Sequence, residues 1–290
     1  GHADLPGAVN RGLVDARDIV ERSSARETAA RVAGGALAAQ FLEALGIHVL
    51  GHTITVGPEE VGGDAGPDLE AARARRDASD LHALGDDAAQ DRARELIDAI
   101  HRAGDTLGGI VEVVATGIPP GLGGHERPET KLSTGLSAAV MGVQAVRGVE
   151  LGLGFRSTAL KGSEVHDPIV PSEGEGAPRR PSNRVGGIEG GTSTGEPIVL
   201  RAAMKPLATL RHALPSVDLR TGEAVPARIE RSDVTAVPRL AIVLEAVVAL
   251  ELARHIRRRF GGASLDEVRE TIDRFRARTA ERYGGMGDAG

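Results

Sequence analysis

Apolar positions recur along this chain with two periods, one helical and one strand-like, and the alternation between them predicts a mixed architecture. Over 25–45 (ARETAARVAGGALAAQFLEAL), Ala29, Val32, Ala33, Ala36, Leu37, Phe41, Leu42 and Leu45 fall at helical spacing. Ser24 stands where an N-cap belongs and Glu27 follows three positions on, the order of a capping box. The run 47–56 reads as a strand, and 108–118 (GGIVEVVATGI) as another, stopped by Pro119-Pro120 and the glycine turn at 121–124. Helical spacing returns over 89–103, 132–146 and, most strongly, 240–260. Residues 264–282 open on a serine N-cap and end in a basic turn, which suits the partial charges at the two ends of a helix. Further strands are expected at 148–155, paired with the residues just after it, at 197–204 and at 224–230. The polar stretch 57–89 offers little periodicity, 161–183 reads as a long flexible loop, and 284–290 as a disordered tail.

Strands separated by helices raise the possibility of a doubly wound parallel sheet. No strand here leads through GxGxxG into a helix and the spacing is irregular, so the pattern predicts an α+β layered domain instead. Length allows one large domain or two; a single domain over 1–290 is expected.

Composition refines this picture. The chain has no cysteine, no tryptophan and only five aromatic residues, four Phe and one Tyr, so its core must be aliphatic and it holds neither disulfides nor thiolate metal sites. A net charge of −6 argues against general nucleic-acid binding, which depends on clustered Lys and Arg. No apolar run approaches the roughly 18 residues of a membrane span, and a soluble, cytoplasmic protein is expected.

Chemistry concentrates in a few places. Arg231-Ser232-Asp233 packs a cation, a hydroxyl and a carboxylate just ahead of the long apolar helix, an arrangement suited to moving protons beside an anion. The loop 183–195 (NRVGGIEGGTSTG) is dense in glycine, whose missing side chain lets backbone lie against a flat ring or cradle an anion; the same composition serves ordinary turns. Lys205 and Thr209 sit at a strand end, where a solvated lysine is the commoner explanation. His2 carries an imidazole able to exchange a proton near neutrality, which alone says little. Arg22, Arg26, Arg31 and Arg231 are candidate anion forks, although Glu27 four residues before Arg31 fits a helix-surface salt bridge. His48 and His52 lie in a strand without an accompanying carboxylate motif, so metal binding is not expected; nor is there a GxSxG elbow or a P-loop.

Several segments, in order, carry a more specific signal: GHADL at 1–5, ERSSARETAAR at 21–31, AGDTLGGIVEVVATGIPPGLG at 103–123, VQAVRGVELGLGF at 143–155, NRVGGIEGGTSTGEPI at 183–198, MKPLATL at 204–210 and ERSDVTAVP at 230–238. With them the chain resembles the chorismate synthases over nearly its whole length. The resemblance implies a layered α/β sandwich with antiparallel sheets around central helices, and a lyase that converts 5-enolpyruvylshikimate 3-phosphate to chorismate and phosphate by 1,4-anti elimination with reduced FMN (FMNH2). It implies FMN contacts at Arg22, Ser23, Ser24, Gln144, Ala145, Gly190, Lys205, Pro206, Leu207, Ala208, Thr209 and Arg231. By the same resemblance Asp233 relieves flavin N5 of its proton with help from Ser24, and His2 is a catalytic histidine near the ring. NADPH as reductant, a homotetramer and the absence of nucleic-acid or membrane partners are further implications. The chain departs from the family at Ser133 and Gly135, where KLDxxLA is usual. It also opens at GHADL, after the segment in which the family carries its other histidine and its substrate arginines. A catalytically incomplete FMN-binding or assembly fragment, of reduced stability, is therefore the competing expectation; an oxidoreductase is weaker, for lack of a dinucleotide fingerprint.

Overall fold

The computed structural model describes residues 3–15, 17–171, 178–227, 229 and 233–283. Helices α1 (Asp4–Arg11) and α2 (Arg17–Arg22) lead through a 3-10 turn at Ala25–Glu27 into α3 (Thr28–Glu43). Strands β1 (His48–Val56) and β2 (Glu59–Glu60) precede α4 (Leu69–Asp77) and α5 (Asp87–Ala103). Then come β3 (Gly109–Thr116), α6 (Leu132–Met141), β4 (Val146–Leu151) and the single turn α7 (Gly162–Val165). A short hairpin of β5 (Ile188–Glu189) and β6 (Thr192–Ser193) is followed by β7 (Ile198–Met204), a second hairpin of β8 (Pro215–Val217) and β9 (Ala224–Pro226), and helices α8 (Val237–Phe260) and α9 (Leu265–Tyr283).

Five strands form one sheet in the order β2-β1-β3-β7-β4, with every neighbour antiparallel. Alternation decides its two faces. Val49, Val111, Val113, Leu200 and Ala202 turn toward a layer of α3, α6 and α8 and form the main aliphatic core with Leu42, Leu136, Leu244 and Leu252. On the other face His52, Glu112, Arg201 and Glu150 stand opposite one another in register, one from each of four strands. Glu112 binds the two basic members, 3.2 Å from His52 Nε2 and 2.7 Å from Arg201 Nε. His52 is thus engaged in a charged row, and no metal-holding group of three or more His, Asp or Glu exists among the described residues.

The expected α+β layering is observed, with differences that have physical causes. The helix expected over 25–45 begins only at Thr28, after the 3-10 turn, and buries Gly35, Ala38 and Leu42 rather than Leu37, which is exposed. Small residues win because α3 crosses α8 so closely that a Cβ at Gly35 would collide with Ala246. The strand expected at 148–155 ends at Leu151 and pairs with β7 rather than with the residues just after it, while that at 224–230 shortens to β9. The stretch 57–89 contains α4, which the sequence did not announce. Within the loop 161–183, buried Asp167 accepts from Ser182 Oγ at 2.6 Å, Arg184 N at 2.8 Å and Val185 N at 3.1 Å, an anchor for a segment that lacks periodicity. Residues 172–177 and the tail 284–290 lie outside the described residues.

Candidate active site

Ser24 is extended (φ −66°, ψ 134°), and its Oγ accepts from Arg26 N at 3.3 Å, capping the 3-10 turn between α2 and α3. Arg22 and Ser23, immediately before it, are exposed. Glu27 does not complete a capping box. Its Oε2 instead takes Arg31 Nε at 2.8 Å, and its Oε1 takes Gln144 Nε2 at 2.6 Å from the turn after α6. The surface salt bridge expected for Arg31 is therefore real and has a second member.

Ala145 adopts φ 65°, a left-handed conformation that costs an alanine about 1–3 kcal/mol and persists only where surroundings enforce it. Its carbonyl accepts the Lys205 N–H at 3.0 Å. The bend thus joins the Gln144-Ala145 turn to the strap 205–209. That strap lies flat on the start of β3 because residue 108 is glycine: a Cβ there would collide with Met204 O and sit 3.0 Å from Pro206 N. Buried Thr106 clamps it further, its Oγ1 donating to Leu207 O at 2.7 Å. Pro206 is exposed, and Lys205, Leu207, Ala208 and Thr209 are half-buried.

At the far end of the strap Arg211 N donates to Gly104 O at 3.1 Å, while Leu107 N donates to Val234 O at 2.8 Å. Two separate chain segments are thereby stitched to 104–107, and Thr209 and Asp233 come to line one small pocket together with His101, Thr106 and Arg211. It borders a cleft of about 490 Å³ between α5 and the start of α8, lined by Asp98, His101, Arg211, Asp233, Thr235 and Arg239. Asp233 has 58% of its side chain exposed and is ion-paired with Arg239 through Oδ2. Residues 228 and 230–232, Arg231 among them, lie outside the described residues, as does His2.

Gly190 is placed elsewhere. It forms the exposed tip of the β5–β6 turn with φ 61°, and its neighbour Gly191 accepts from Leu132 N at 2.9 Å at the N-terminus of α6. Gln144 follows the C-terminus of that helix, whose ten residues span roughly 15 Å. The fold therefore unites Ser24, Gln144, Ala145 and the 205–209 strap along one line leading to Asp233, and sets Gly190 apart. Sequence reasoning missed Glu27 as a partner of Gln144 and did not single out His101, Arg211 or Arg239. Scattered over α5, the strap's continuation and α8, these residues form no motif that a linear reading detects.

The family model for chorismate synthase matches residues 1–256. The chorismate synthase of Saccharopolyspora erythraea is 47% identical over 283 residues, covering 97% of this chain and 70% of that protein. That of Mycobacterium avium (strain 104) is 49% identical over 286 residues, with coverages of 97% and 70%. The chain belongs to the chorismate synthase family. A crystal structure of chorismate synthase superposes on 96% of the chain and 77% of its own length with a TM-score of 0.82 at 34% identity. The antiparallel, layered α+β architecture is thus that of the chorismate synthase fold.

Membership in the family implies a requirement for reduced flavin, and the site fits such a group. Gln144 Oε1 is shut off from solvent with no hydrogen-bond partner among the described residues. An orphan acceptor of this kind suits a ligand that brings a donor, and it sits where the strap, the Gln144-Ala145 turn and the Ser24 segment converge.

Proposed function

We propose that this chain eliminates phosphate from 5-enolpyruvylshikimate 3-phosphate, in the 1,4-anti sense, to release chorismate, with FMNH2 held along Arg22–Ser24, Gln144-Ala145 and Lys205–Thr209. Membership in the chorismate synthase family makes the protein a lyase of the shikimate pathway acting on a small-molecule substrate, and does not favour the reading of an inert flavin-binding fragment. The observation that carries the finer reading is the Ala145 O to Lys205 N hydrogen bond at 3.0 Å, which joins two of the proposed coenzyme segments beside a third.

When bound, reduced flavin supplies electron density to a substrate from which phosphate is departing. The chain's own residues supply the rest. Asp233, at the mouth of the cleft, is the base that receives the proton, and its pairing with Arg239 holds the carboxylate at that position until the proton arrives. Ser24 Oγ, engaged as an acceptor by Arg26 N, keeps its own hydrogen to donate. Arg211 and His101 face the same cleft and offer donors to an anionic substrate. We assign His2 as general acid and Arg231 as a coenzyme contact from the family pattern; the same pattern gives Gly190, which the fold sets at the opposite end of α6 from Gln144, as a contact separate from that line. NADPH is the proposed reductant.

A homotetramer in the cytoplasm completes the proposal. Leu37, 70% exposed, and Leu250 leave apolar surface on the outer side of α3 and α8 that assembly would cover. No helix among the described residues is long and apolar enough to cross a membrane. The test is anaerobic release of phosphate from 5-enolpyruvylshikimate 3-phosphate with photoreduced FMN. Release coupled one-to-one to chorismate absorbance is expected; phosphate without chorismate, or neither product, refutes the assignment.

A further inference from the structure

Glu27 belongs to none of the segments assigned to the coenzyme, yet it decides how Gln144 presents its amide. Its carboxylate takes Arg31 Nε on Oε2 at 2.8 Å and Gln144 Nε2 on Oε1 at 2.6 Å. An ionised carboxylate has no hydrogen to give, so Gln144 can meet it only with its NH2 group. The Arg31 guanidinium, first, and the Gln144 amide, second, hold the Glu27 carboxyl below the usual carboxylate range, which keeps it an acceptor at neutral pH. Gln144 Oε1 is consequently turned to the opposite side of the amide, where it is shut off from solvent and has no partner among the described residues. Rotating the amide would satisfy neither end, because it would set oxygen against oxygen at Glu27.

The next residue limits the alternatives. Ala145 is fixed by its left-handed backbone and by Lys205, so the turn that carries Gln144 has little freedom to bring Oε1 to a protein donor. A shut-off acceptor is destabilising while it lacks a donor, and a ligand that supplies one gains accordingly.

We propose that Glu27 is a positioning residue: it orients Gln144 so that Oε1 accepts a hydrogen bond from the bound flavin, either from the imide N–H of its ring or from a hydroxyl of its ribityl chain. The proposal rests on the flavin reading given above. Arg31 contributes by pinning the far oxygen of the same carboxylate, so that the ion pair which looks like a helix-surface feature acts in series with the site.

Binding of oxidised coenzyme, followed by quenching of flavin fluorescence, tests this without turnover. Wild type, Glu27→Gln and Gln144→Leu are titrated with FMN, with N3-methyl FMN, and with an FMN analogue whose ribityl hydroxyls are replaced by hydrogen. In wild type one of the two analogues should bind about tenfold more weakly than FMN, the effect of one lost hydrogen bond to a shut-off acceptor. Which analogue it is distinguishes ring from chain. Glutamine at position 27 can donate as well as accept and no longer dictates the amide's direction, so discrimination should fall to about two- to threefold there, and vanish in Gln144→Leu. Undiminished discrimination in Glu27→Gln overturns the positioning role, and a wild type indifferent to both analogues overturns the Oε1 contact. Failure of the flavin reading itself looks different: no FMN binding to wild type at all.

Discussion

Glu245 is the point at which the helix layer is tied electrostatically to the sheet, and its removal should be felt strongly. It lies on α8 with 13% of its side chain exposed and accepts from three donors: Arg73 and Arg76 of α4, both in close contact, and Gly51 N of β1 at 2.9 Å. Arg76 has only 4% of its side chain exposed and also donates to Gly51 O at 3.0 Å. In Glu245→Ala, the half-exposed Asp77 is the one carboxylate among the described residues still paired with Arg76, at 2.8 Å. Breaking a buried pair from one side in this manner costs about 3–5 kcal/mol, because the remaining charge is left desolvated. For a chain of this size roughly 2 °C of Tm is lost per kcal/mol, so the melting temperature should fall by about 6–10 °C. Glu245→Gln keeps an acceptor for Gly51 N and should melt between Glu245→Ala and wild type. The double change Glu245→Leu with Arg76→Met should recover much of the loss, since the pair costs desolvation to make as well as to break. Asp15→Ala removes the exposed Arg17 pair and serves as the control, with no expected change in Tm. Differential scanning calorimetry at pH 7 decides the matter, and equal melting temperatures for Glu245→Ala and Asp15→Ala would refute the reasoning.

Three further outcomes are expected. Burial works against ionisation of Glu251, but His255 and Arg254 outweigh it and hold the carboxyl down at about 2; because the folded value lies below the unfolded one, this group stabilises the fold above about pH 4.5 and the gain is lost as pH falls toward 2. Glu251→Gln should therefore melt lower at pH 7 yet show a flatter decline between pH 4.5 and 2.5, as read by circular dichroism; parallel pH curves would contradict the pairing. Thr106→Val removes the clamp on Leu207 O, worth about 0.5–1.5 kcal/mol, and should raise the FMN dissociation constant about two- to tenfold by fluorescence titration, whereas unchanged affinity would show that the strap holds itself. Asp233→Ala should abolish chorismate formation while FMN binding stays within about twofold, as expected where one proton-transfer group is lost without its pocket; equal loss of both would make the residue structural.

Legibility of the fold followed how each element buries itself. β3 and β7 were readable because one face of each is continuously apolar, β1 because it is rich in β-branched residues and nearly all of it is buried, and α8 because its buried residues surround most of its circumference. α4 escaped notice for the opposite reason: its buried positions are Leu69, Ala72 and the charged Arg76, so the residue that seats it against the core reads as solvent-facing. In α3 Leu37 is outside while Gly35 and Ala38 are inside, since the close approach to α8 at Gly35 selects for size rather than hydrophobicity there, and only Leu42 beyond the crossing buries a large side chain. Asp233, read from the sequence as lying just ahead of the long apolar helix, sits there at the lip of a cleft, with its side chain largely exposed.

Motifs at the site reveal its parts and conceal their assembly. Each proposed coenzyme segment came from the resemblance to the chorismate synthases, which carries residues over position by position, and not from local composition, under which Lys205 reads as a solvated lysine. Their convergence was visible in neither, because it rests on contacts between distant positions: Glu27 with Gln144, 117 residues apart, and Thr106 with Leu207, 101 apart. Neither Glu27 nor Thr106 has chemistry of its own to advertise, one looking like a helix-surface acid and the other like a residue at a strand's edge. Both nevertheless fix main chain or amide direction at the proposed coenzyme site, where small misplacements are expensive. Changes at these two positions should accordingly alter coenzyme affinity and selectivity more than melting temperature, and changes at Glu245 should do the reverse.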